Sequence, residues 1–183
     1  IKEHYYNKLV EIDGINKRAK FLGFGEHNKD VETWIEYEMI HVTPPQSAPD
    51  FIKSSPLANS AGWVDVDKHS LQHIKYSNVF SLGDASSLPT GKTGAAIRKQ
   101  APILVQNILS LIANTNLTGH YNGYSSCPLI TGKGKLILAE FDYDNVPQET
   151  FPFNQAKERW SMFILKRYIL PYLYWNKILK GKM

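Results

Sequence analysis

The chain has 183 residues, so its length allows one domain or parts of two. Its apolar share of 43% is sufficient for a hydrophobic core, and its net charge of +4 is too small to indicate nucleic acid as a partner. Because the chain has a single cysteine, a small fold held together by internal disulfides is excluded.

The first third of the chain is predicted to be rich in strands. Tyr5–Asp13 and Arg18–Gly23 predict two strands joined by a turn at Asp13-Gly14, which is typical of a hairpin. Trp34–Val42 alternates in polarity and predicts a third strand. Four prolines make Thr43–Ala61 a stiff loop, and we expect the main boundary of the chain there.

The middle of the chain alternates short strands with one long helix. Gly62–Lys68 predicts a short strand, and Val79–Leu82 predicts a parallel strand of the core. Apolar positions with a helical period predict a helix over Thr93–Asn114, with a kink or a break at Pro102. Lys135–Phe141 is a further strand candidate.

The segment that follows the predicted core strand is suited to a nucleotide. Asp84, placed after Gly83 at the end of the strand, can accept hydrogen bonds from ribityl or ribose hydroxyls. The helix that follows opens with small residues, so its free N–H groups and positive dipole can face an electron-rich ring or a phosphate. A phosphate loop of NTPases is not favoured, because residue 86 is Ser where that motif needs Gly and because Pro89 stiffens the loop.

Two further features concern single side chains. His69 and His73 have the spacing of metal ligands on a helix, but no Cys or carboxylate cluster completes a site, and we expect solvated side chains and no metal. Cys127 precedes Pro128 in a segment of small residues that predicts a turn-rich loop. A cysteine in such a loop is a candidate for a reactive thiol, although most lone cysteines are apolar filler.

The last segment, residues 155–183, is basic and rich in aromatic residues. Its longest stretch without a charge is Tyr168–Asn176, which is too short to span a bilayer. Pro171 divides the segment into two predicted helical halves. Basic amphipathic helices with Trp and Tyr lie in the membrane interface, so we expect residues 155–183 to bind a membrane surface rather than only to pack on the core.

Taken in order, these segments resemble the C-terminal portion of the sulfide:quinone oxidoreductase family, in its mitochondrial type and its bacterial relatives. The likeness covers nearly the whole chain, and the ordered set with the cysteine loop is specific, whereas Gly-Asp alone is shared by many flavoproteins. The matching segments are His41–Pro45, Ala61–Lys68, Tyr76–Phe80, Gly83-Asp84, Leu88–Thr90, Lys92-Thr93, Tyr121–Tyr124, Ser126–Leu129, Ile137–Tyr143, Glu149–Phe153, Lys157–Arg159 and Leu173–Trp175.

The resemblance implies an α/β flavoprotein with two dinucleotide-binding, Rossmann-like domains and a C-terminal amphipathic helical segment that binds the membrane. Residues 1–43 would end the second, NAD-like domain, residues 44–113 would return to the FAD domain, and residues 114–183 would form the C-terminal domain. By the family pattern Gly83 and Asp84 bind the FAD ribityl chain. Lys92, Thr93 and Gly94 would face the pyrimidine edge of the flavin, where positive charge favours the reduced anion.

The resemblance also implies the chemistry. Cys127 would be one of two cysteines bridged by sulfur at rest; sulfide opens the bridge and leaves a persulfide on one cysteine and a thiolate on the other. The thiolate passes two electrons to the flavin, and the persulfide sulfur leaves to an acceptor such as glutathione. The flavin then reduces ubiquinone. Phe151 and Phe153, which precede the amphipathic segment, are the candidate quinone residues and Tyr143 is a weaker one, although simple packing in the core explains these aromatic residues about equally well.

The implied location is the mitochondrial inner membrane, with peripheral or monotopic attachment, or the cytoplasmic membrane in a bacterium. A homodimer is a further expectation. The chain lacks a Gly-x-Gly-x-x-Gly fingerprint and a second cysteine, so we expect a fragment that by itself neither holds FAD tightly nor turns over. Two alternatives stay open: a type II NADH:quinone dehydrogenase, which does not require Cys127, and a non-catalytic peripheral membrane module.

Overall fold

A computed structural model describes residues 2–182 of the chain. The chain divides into two compact units, residues 1–46 and 47–183, and the division falls within the proline-rich segment. Together the units have a mixed α/β composition.

The first unit is a three-stranded antiparallel sheet in the order β1-β2-β3. Its strands are β1 (Asn7–Asp13), β2 (Arg18–Gly23) and β3 (Glu32–Glu36). The predicted hairpin is therefore confirmed. The third strand is shorter than predicted and ends at Glu36, where its pairing with Arg18 at the start of β2 ends.

The second unit opens with a short helix, α1 (Asp50–Lys53), and a long irregular stretch. In this stretch the predicted strand at Gly62–Lys68 forms only isolated bridges at Val64 and Val66. The prediction of a parallel core strand at Val79–Leu82 was wrong: Phe80 makes a single antiparallel bridge to Gln72. A strand needs a continuous ladder of partners, and this segment finds only one.

The long helix α2 (Gly94–Ile112) follows the predicted bounds closely. Thr93 is its N-cap, and the Thr93 hydroxyl accepts a hydrogen bond of 3.2 Å from the Ala96 N–H. Of the predicted kink or break at Pro102, the break is absent, because the helix continues through that residue. A proline inside a helix removes one backbone hydrogen bond, which the eight helical residues before Pro102 and the ten after it outweigh.

Two antiparallel strands, β4 (Ser125–Gly132) and β5 (Lys135–Phe141), follow the helix. The prediction of β5 is confirmed, but the prediction of a loop around Cys127 was wrong, because Cys127 lies in β4 opposite Ala139. Pro128 is compatible with this strand because β4 has only one neighbour and therefore a free edge.

The end of the chain is helical but irregular. The helix α3 (Trp160–Ile164) runs into a π-helical turn (Leu165–Ile169), and the helix α4 (Leu170–Asn176) and a 3-10 turn (Ile178–Lys180) follow. Pro171 lies in the first turn of α4, where a proline is tolerated, so it marks the second helix as predicted.

Residues 47–182 of the second unit contain two apolar clusters. The larger one contains Leu71 and Tyr121 and packs against the inner face of α2. The smaller one joins Leu136 and Leu138 of β5 to Met162 of α3, and thereby fixes the C-terminal segment on the two-stranded sheet.

Candidate functional site

The Gly83-Asp84 turn is held in place by the side chain of Gln100 in the long helix. Gly83 is buried and has a φ of +68°, and its N–H donates to Gln100 Oε1 over 2.8 Å. Gln100 Nε2 donates to the Tyr121 hydroxyl over 3.2 Å, and that hydroxyl donates to the Tyr124 carbonyl over 2.5 Å. A side chain at position 83 would lie 3.2 Å from Ile97 of α2, so glycine lets the turn approach the helix closely.

Asp84 and Lys92 differ in how far their side chains are exposed to solvent. Asp84 is exposed, and no described residue donates a hydrogen bond to its carboxylate, so its oxygens are available to hydroxyl groups of a ligand. Lys92 is half-buried: its ammonium donates to the Ser86 carbonyl over 2.7 Å and lies 4.0 Å from the centre of the Trp63 ring. Burial lowers the pKa of Lys92, and the negative charge of Asp84 opposes that shift.

The start of α2 has free donors. Among residues 2–182, neither the Gly94 nor the Ala95 N–H has a protein acceptor, as expected for the first turn of a helix. An added side chain at Gly94 would meet nothing within 4 Å, so the helix start is open. It can therefore receive an electron-rich group.

The strand of Cys127 is attached to this helix start. Ser125 Oγ lies 3.1 Å from Thr93 Oγ1 and donates to the Gly91 carbonyl over 3.2 Å. Successive side chains of a strand alternate between faces, so Cys127 lies on the same face of β4 as Ser125. Cys127 is exposed and is a free thiol in this structure. The structure thus joins the start of α2, where Thr93 and Gly94 lie, to the strand that carries Cys127.

The free edge of β4 next to Cys127 meets the C-terminal segment. Lys166, in the π-helical turn, donates to the Pro128 carbonyl over 2.9 Å. This bond gives the carbonyl at the free edge a charged partner.

A buried carboxylate lies beside the same strand. Glu140 accepts hydrogen bonds from the Tyr124 hydroxyl, from the N–H and the hydroxyl of Thr150 (2.8 and 2.7 Å) and from Gln155 Nε2 (2.7 Å). Burial opposes ionisation of Glu140, but these hydrogen bonds outweigh it and hold the pKa of its carboxyl below the usual value. Desolvation, followed by the bond to Glu140, raises the pKa of Tyr124.

The three candidate quinone residues do not lie together. Phe151 and Phe153 stack with ring centres 5.3 Å apart, pack against the Leu136 and Met162 cluster, and Arg159 lies 4.3 Å above the Phe153 ring. Tyr143 belongs instead to the larger cluster and donates to the Lys68 carbonyl over 2.6 Å. Burial raises the pKa of Tyr143 above its usual value.

The two histidines differ from the expectation of solvated side chains. His73 is buried. Its Nε2 lies 3.1 Å from the Leu57 carbonyl and its Nδ1 accepts from the Lys75 N–H, so backbone groups satisfy both nitrogens of the buried ring. His69 is half-buried and stacks on His120. Among residues 2–182, no group of three or more His, Cys, Asp or Glu side chains is arranged to hold a metal ion.

The C-terminal segment leaves most of its aromatic side chains exposed. The exposed members are Trp160, Tyr168, Tyr172, Tyr174 and Trp175. Among the helices of residues 2–182, none combines the length and the apolar character that crossing a bilayer requires.

Sequence reasoning did not identify Gln100 or Glu140. For Glu140 a signal was present: Leu136, Leu138 and Glu140 occupy alternate positions of β5 and are all buried, so the carboxylate lies on the apolar face of a strand. Gln100 has the corresponding signal on α2, because it lies one helical turn from Ala96 on the buried face.

Comparison with known proteins gives long alignments. The mitochondrial sulfide:quinone oxidoreductase of Mus musculus is 50% identical over 99% of this chain and 40% of its own length. The proteins of the same name from Dictyostelium discoideum and Schizosaccharomyces pombe are 48% and 41% identical over 100% and 96% of the chain, and each is covered over 39% of its length. No family model matches the chain.

One solved structure is also similar. A chain in the cryo-EM structure of the Tetrahymena thermophila mitochondrial ATP synthase, an F1Fo composite tetramer model, matches 91% of this chain with a TM-score of 0.74 and 27% identity. The match covers 40% of that chain.

These similarities relate the chain to a class of oxidoreductases. More narrowly, the predicted resemblance is confirmed: the chain is a homologue of the C-terminal part of the mitochondrial sulfide:quinone oxidoreductases, and it spans about two fifths of the length of the relatives it matches.

Proposed function

We propose that the chain is part of a flavoprotein that oxidises hydrogen sulfide and passes two electrons through FAD to ubiquinone. The observation that carries the proposal is the link from Thr93 at the start of α2 to Ser125 on the strand of Cys127. The link supports a flavin and a thiol working at the same end of the helix. The names of the relatives, which align along the whole chain, support sulfide and a quinone as substrates.

The residues present fit FAD. Asp84 supplies free acceptor oxygens for the hydroxyls of the ribityl chain, and the open start of α2 supplies free N–H donors. Lys92, two residues before Gly94 in the chain, supplies a partly desolvated positive charge. When bound, FAD takes up two electrons from the sulfur chemistry and delivers them to the quinone. Thr93 caps the helix and Gly94 has no side chain, so a flat ring could approach the first turn.

Cys127 is the proposed sulfur carrier. Cys127 is exposed, and in the oxidised enzyme it would share an S–S bond with a second cysteine outside this chain. Sulfide would break that bond, leaving a persulfide on one cysteine and a thiolate on the other, and the S–S bond is the two-electron oxidant of the step. The sulfane sulfur then leaves to a thiol acceptor such as glutathione, which regenerates the cysteine.

The quinone and the membrane are proposed to meet at the C-terminal end. The stacked pair of Phe151 and Phe153 offers a flat apolar surface for a quinone ring, next to the helices of residues 155–183. Tyr143 lies in a different cluster, and its role in quinone binding is the least supported of the three. Exposed aromatic and basic side chains favour peripheral attachment of residues 155–183 to the mitochondrial inner membrane.

The choice of electron donor tests this function. In the full-length parent protein with bound FAD, we expect sulfide to support reduction of a soluble ubiquinone analogue, with a stoichiometry of one quinone per sulfide. We expect NADH to support no reduction. Reduction by NADH alone would assign the type II dehydrogenase instead, and vesicle binding without reduction by either donor would assign a non-catalytic membrane module. The isolated 183-residue chain should be inactive with both donors.

A further inference from the structure

We propose that Glu140 is a positioning residue that holds the strand of Cys127 and the stacked pair of Phe151 and Phe153 in one fixed arrangement. The proposal rests on the proposed function, in which Cys127 receives sulfide and the aromatic pair receives quinone. Glu140 touches neither reacting group and acts through its neighbours on both sides.

The first attachment is to the strand of Cys127. Glu140 pairs in register with Ser126, the residue before Cys127, so the backbones of the two strands are aligned there. The Tyr124 hydroxyl donates to the Glu140 carboxylate from the residue that precedes β4. The approach of the chain to Cys127 is therefore fixed by a charged hydrogen bond as well as by the strand ladder.

The second attachment is to the segment of the aromatic pair. Thr150 donates both its N–H and its hydroxyl to Glu140, and Gln155 donates its side-chain N–H. These two residues flank Phe151 and Phe153, so one carboxylate closes the loop that carries both rings. Gln155 also donates its backbone N–H to Glu149 Oε1 over 2.8 Å, which strengthens the closure.

The negative charge of the buried Glu140 carboxylate makes the loss of any of its hydrogen-bond donors costly. A buried carboxylate must keep its donors, because each lost donor leaves a desolvated negative charge without compensation. Gln155 is 1% exposed, and its side-chain oxygen has no hydrogen-bond partner among residues 2–182. The Gln155 side chain therefore keeps its Nε2 bond to Glu140 although its Oε1 atom stays buried without a partner. This indicates that the contact with Glu140 determines the position of the Gln155 side chain.

The two attachments can be cut separately in the full-length parent protein. Tyr124→Phe removes the attachment to the cysteine strand, and we expect sulfide-driven bleaching of the flavin to slow by about fivefold while the KM for ubiquinone stays within about twofold. Thr150→Val removes one bond to the aromatic segment, and we expect the opposite pattern, with a KM about fivefold higher and nearly unchanged bleaching. Glu140→Gln should impair both steps.

Glu158→Gln is the matched control, because it removes a carboxylate that forms an exposed ion pair with Lys135, and we expect neither step to change by more than about twofold. A merely structural role for Glu140 would lower the yield of folded protein but impair both steps equally in Tyr124→Phe and Thr150→Val. That equal pattern would overturn the proposal.

Hydrogen exchange gives a readout that does not depend on activity. In Glu140→Gln we expect the amides of residues 125–130 and 149–155 to lose protection together, while those of α2 keep theirs. If the wild-type parent fails to respond to sulfide, the proposed function fails, and the exchange pattern alone decides the positioning role. Loss of protection in only one of the two segments, or in neither, would contradict that role.

Discussion

Gln100 shows how a single polar side chain fixes the Gly83-Asp84 turn. It is buried and accepts from the Gly83 N–H while it donates to the Tyr121 hydroxyl. We expect Gln100→Leu to lower the free energy of unfolding of the chain by about 2 kcal/mol, because a buried donor is left without a partner. Urea denaturation measures the loss.

Gln106→Leu is the control for this substitution, because Gln106 lies on the same helix and its side chain bonds to Thr118 on the exposed surface. It should cost less than about 0.5 kcal/mol. Equal losses of unfolding free energy in the two variants would show that the bond between Gln100 and Gly83 does not contribute more than a surface hydrogen bond.

The ionisation of Glu140 predicts a dependence of stability on pH. Its pKa in the folded chain is held below the value of an unfolded glutamate by its hydrogen bonds, despite burial. The folded state therefore binds the proton less readily, and the stability that Glu140 contributes is present above the unfolded pKa and is lost as the pH falls through the folded pKa.

We therefore expect the free energy of unfolding to fall less steeply below about pH 4.5 in Glu140→Gln than in the wild type. Thermal unfolding between pH 3 and pH 7 measures both slopes. Parallel curves would mean that folding does not lower the pKa of Glu140, and would contradict this expectation.

At the scale of elements, the sequence predicted some segments and not others for one physical reason. The hairpin of β1 and β2 and the helix α2 were predicted because their signals are local: a turn at Asp13-Gly14 and a helical apolar period. Val79–Leu82 has the apolar character of a strand, but strand formation depends on distant partners. Cys127 was assigned to a loop because Pro128 and small residues surround it, whereas these residues form a strand with a free edge, where a proline is tolerated.

The candidate site was predicted only in part for a related reason. Gly83, Asp84 and the start of α2 follow one another along the chain, so their proximity could be inferred. The contact between Ser125 and Thr93 joins residues 32 positions apart, so no local sequence pattern predicts it.

The C-terminal segment gives a prediction for a whole element. Trp175 in α4 is 64% exposed, and an interfacial aromatic side chain contributes on the order of 2 kcal/mol when it is buried in a lipid surface. We expect Trp175→Ala to weaken binding of the chain to anionic vesicles by about thirtyfold in a sedimentation assay.

Phe51→Ala is the control for the vesicle assay, because Phe51 is 74% exposed in α1, outside the C-terminal segment. Binding by this variant should equal that of the wild type. An equal loss in both variants would mean that general surface hydrophobicity, and not residues 155–183, holds the chain on the vesicle.

At the scale of the whole molecule, the chain carries the residues proposed to bind sulfur, flavin and quinone in an enzyme with two substrates. Cys127, the start of α2 and the exposed C-terminal helices all belong to the second compact unit. Fold class, as a mixed α/β arrangement, and homology were predictable from the sequence. The domain roles of residues 1–43, 44–113 and 114–183 stay predictions.

The central claim is that Cys127 carries sulfur beside a flavin, and one measurement tests it most directly. The visible spectrum of the full-length parent protein is recorded without oxygen before and after sulfide is added, for the wild type and for Cys127→Ser. We expect sulfide to bleach the flavin bands of the wild type, and Cys127→Ser to bleach at least about a hundredfold more slowly. Equal bleaching in both proteins would show that Cys127 has no part in the reaction.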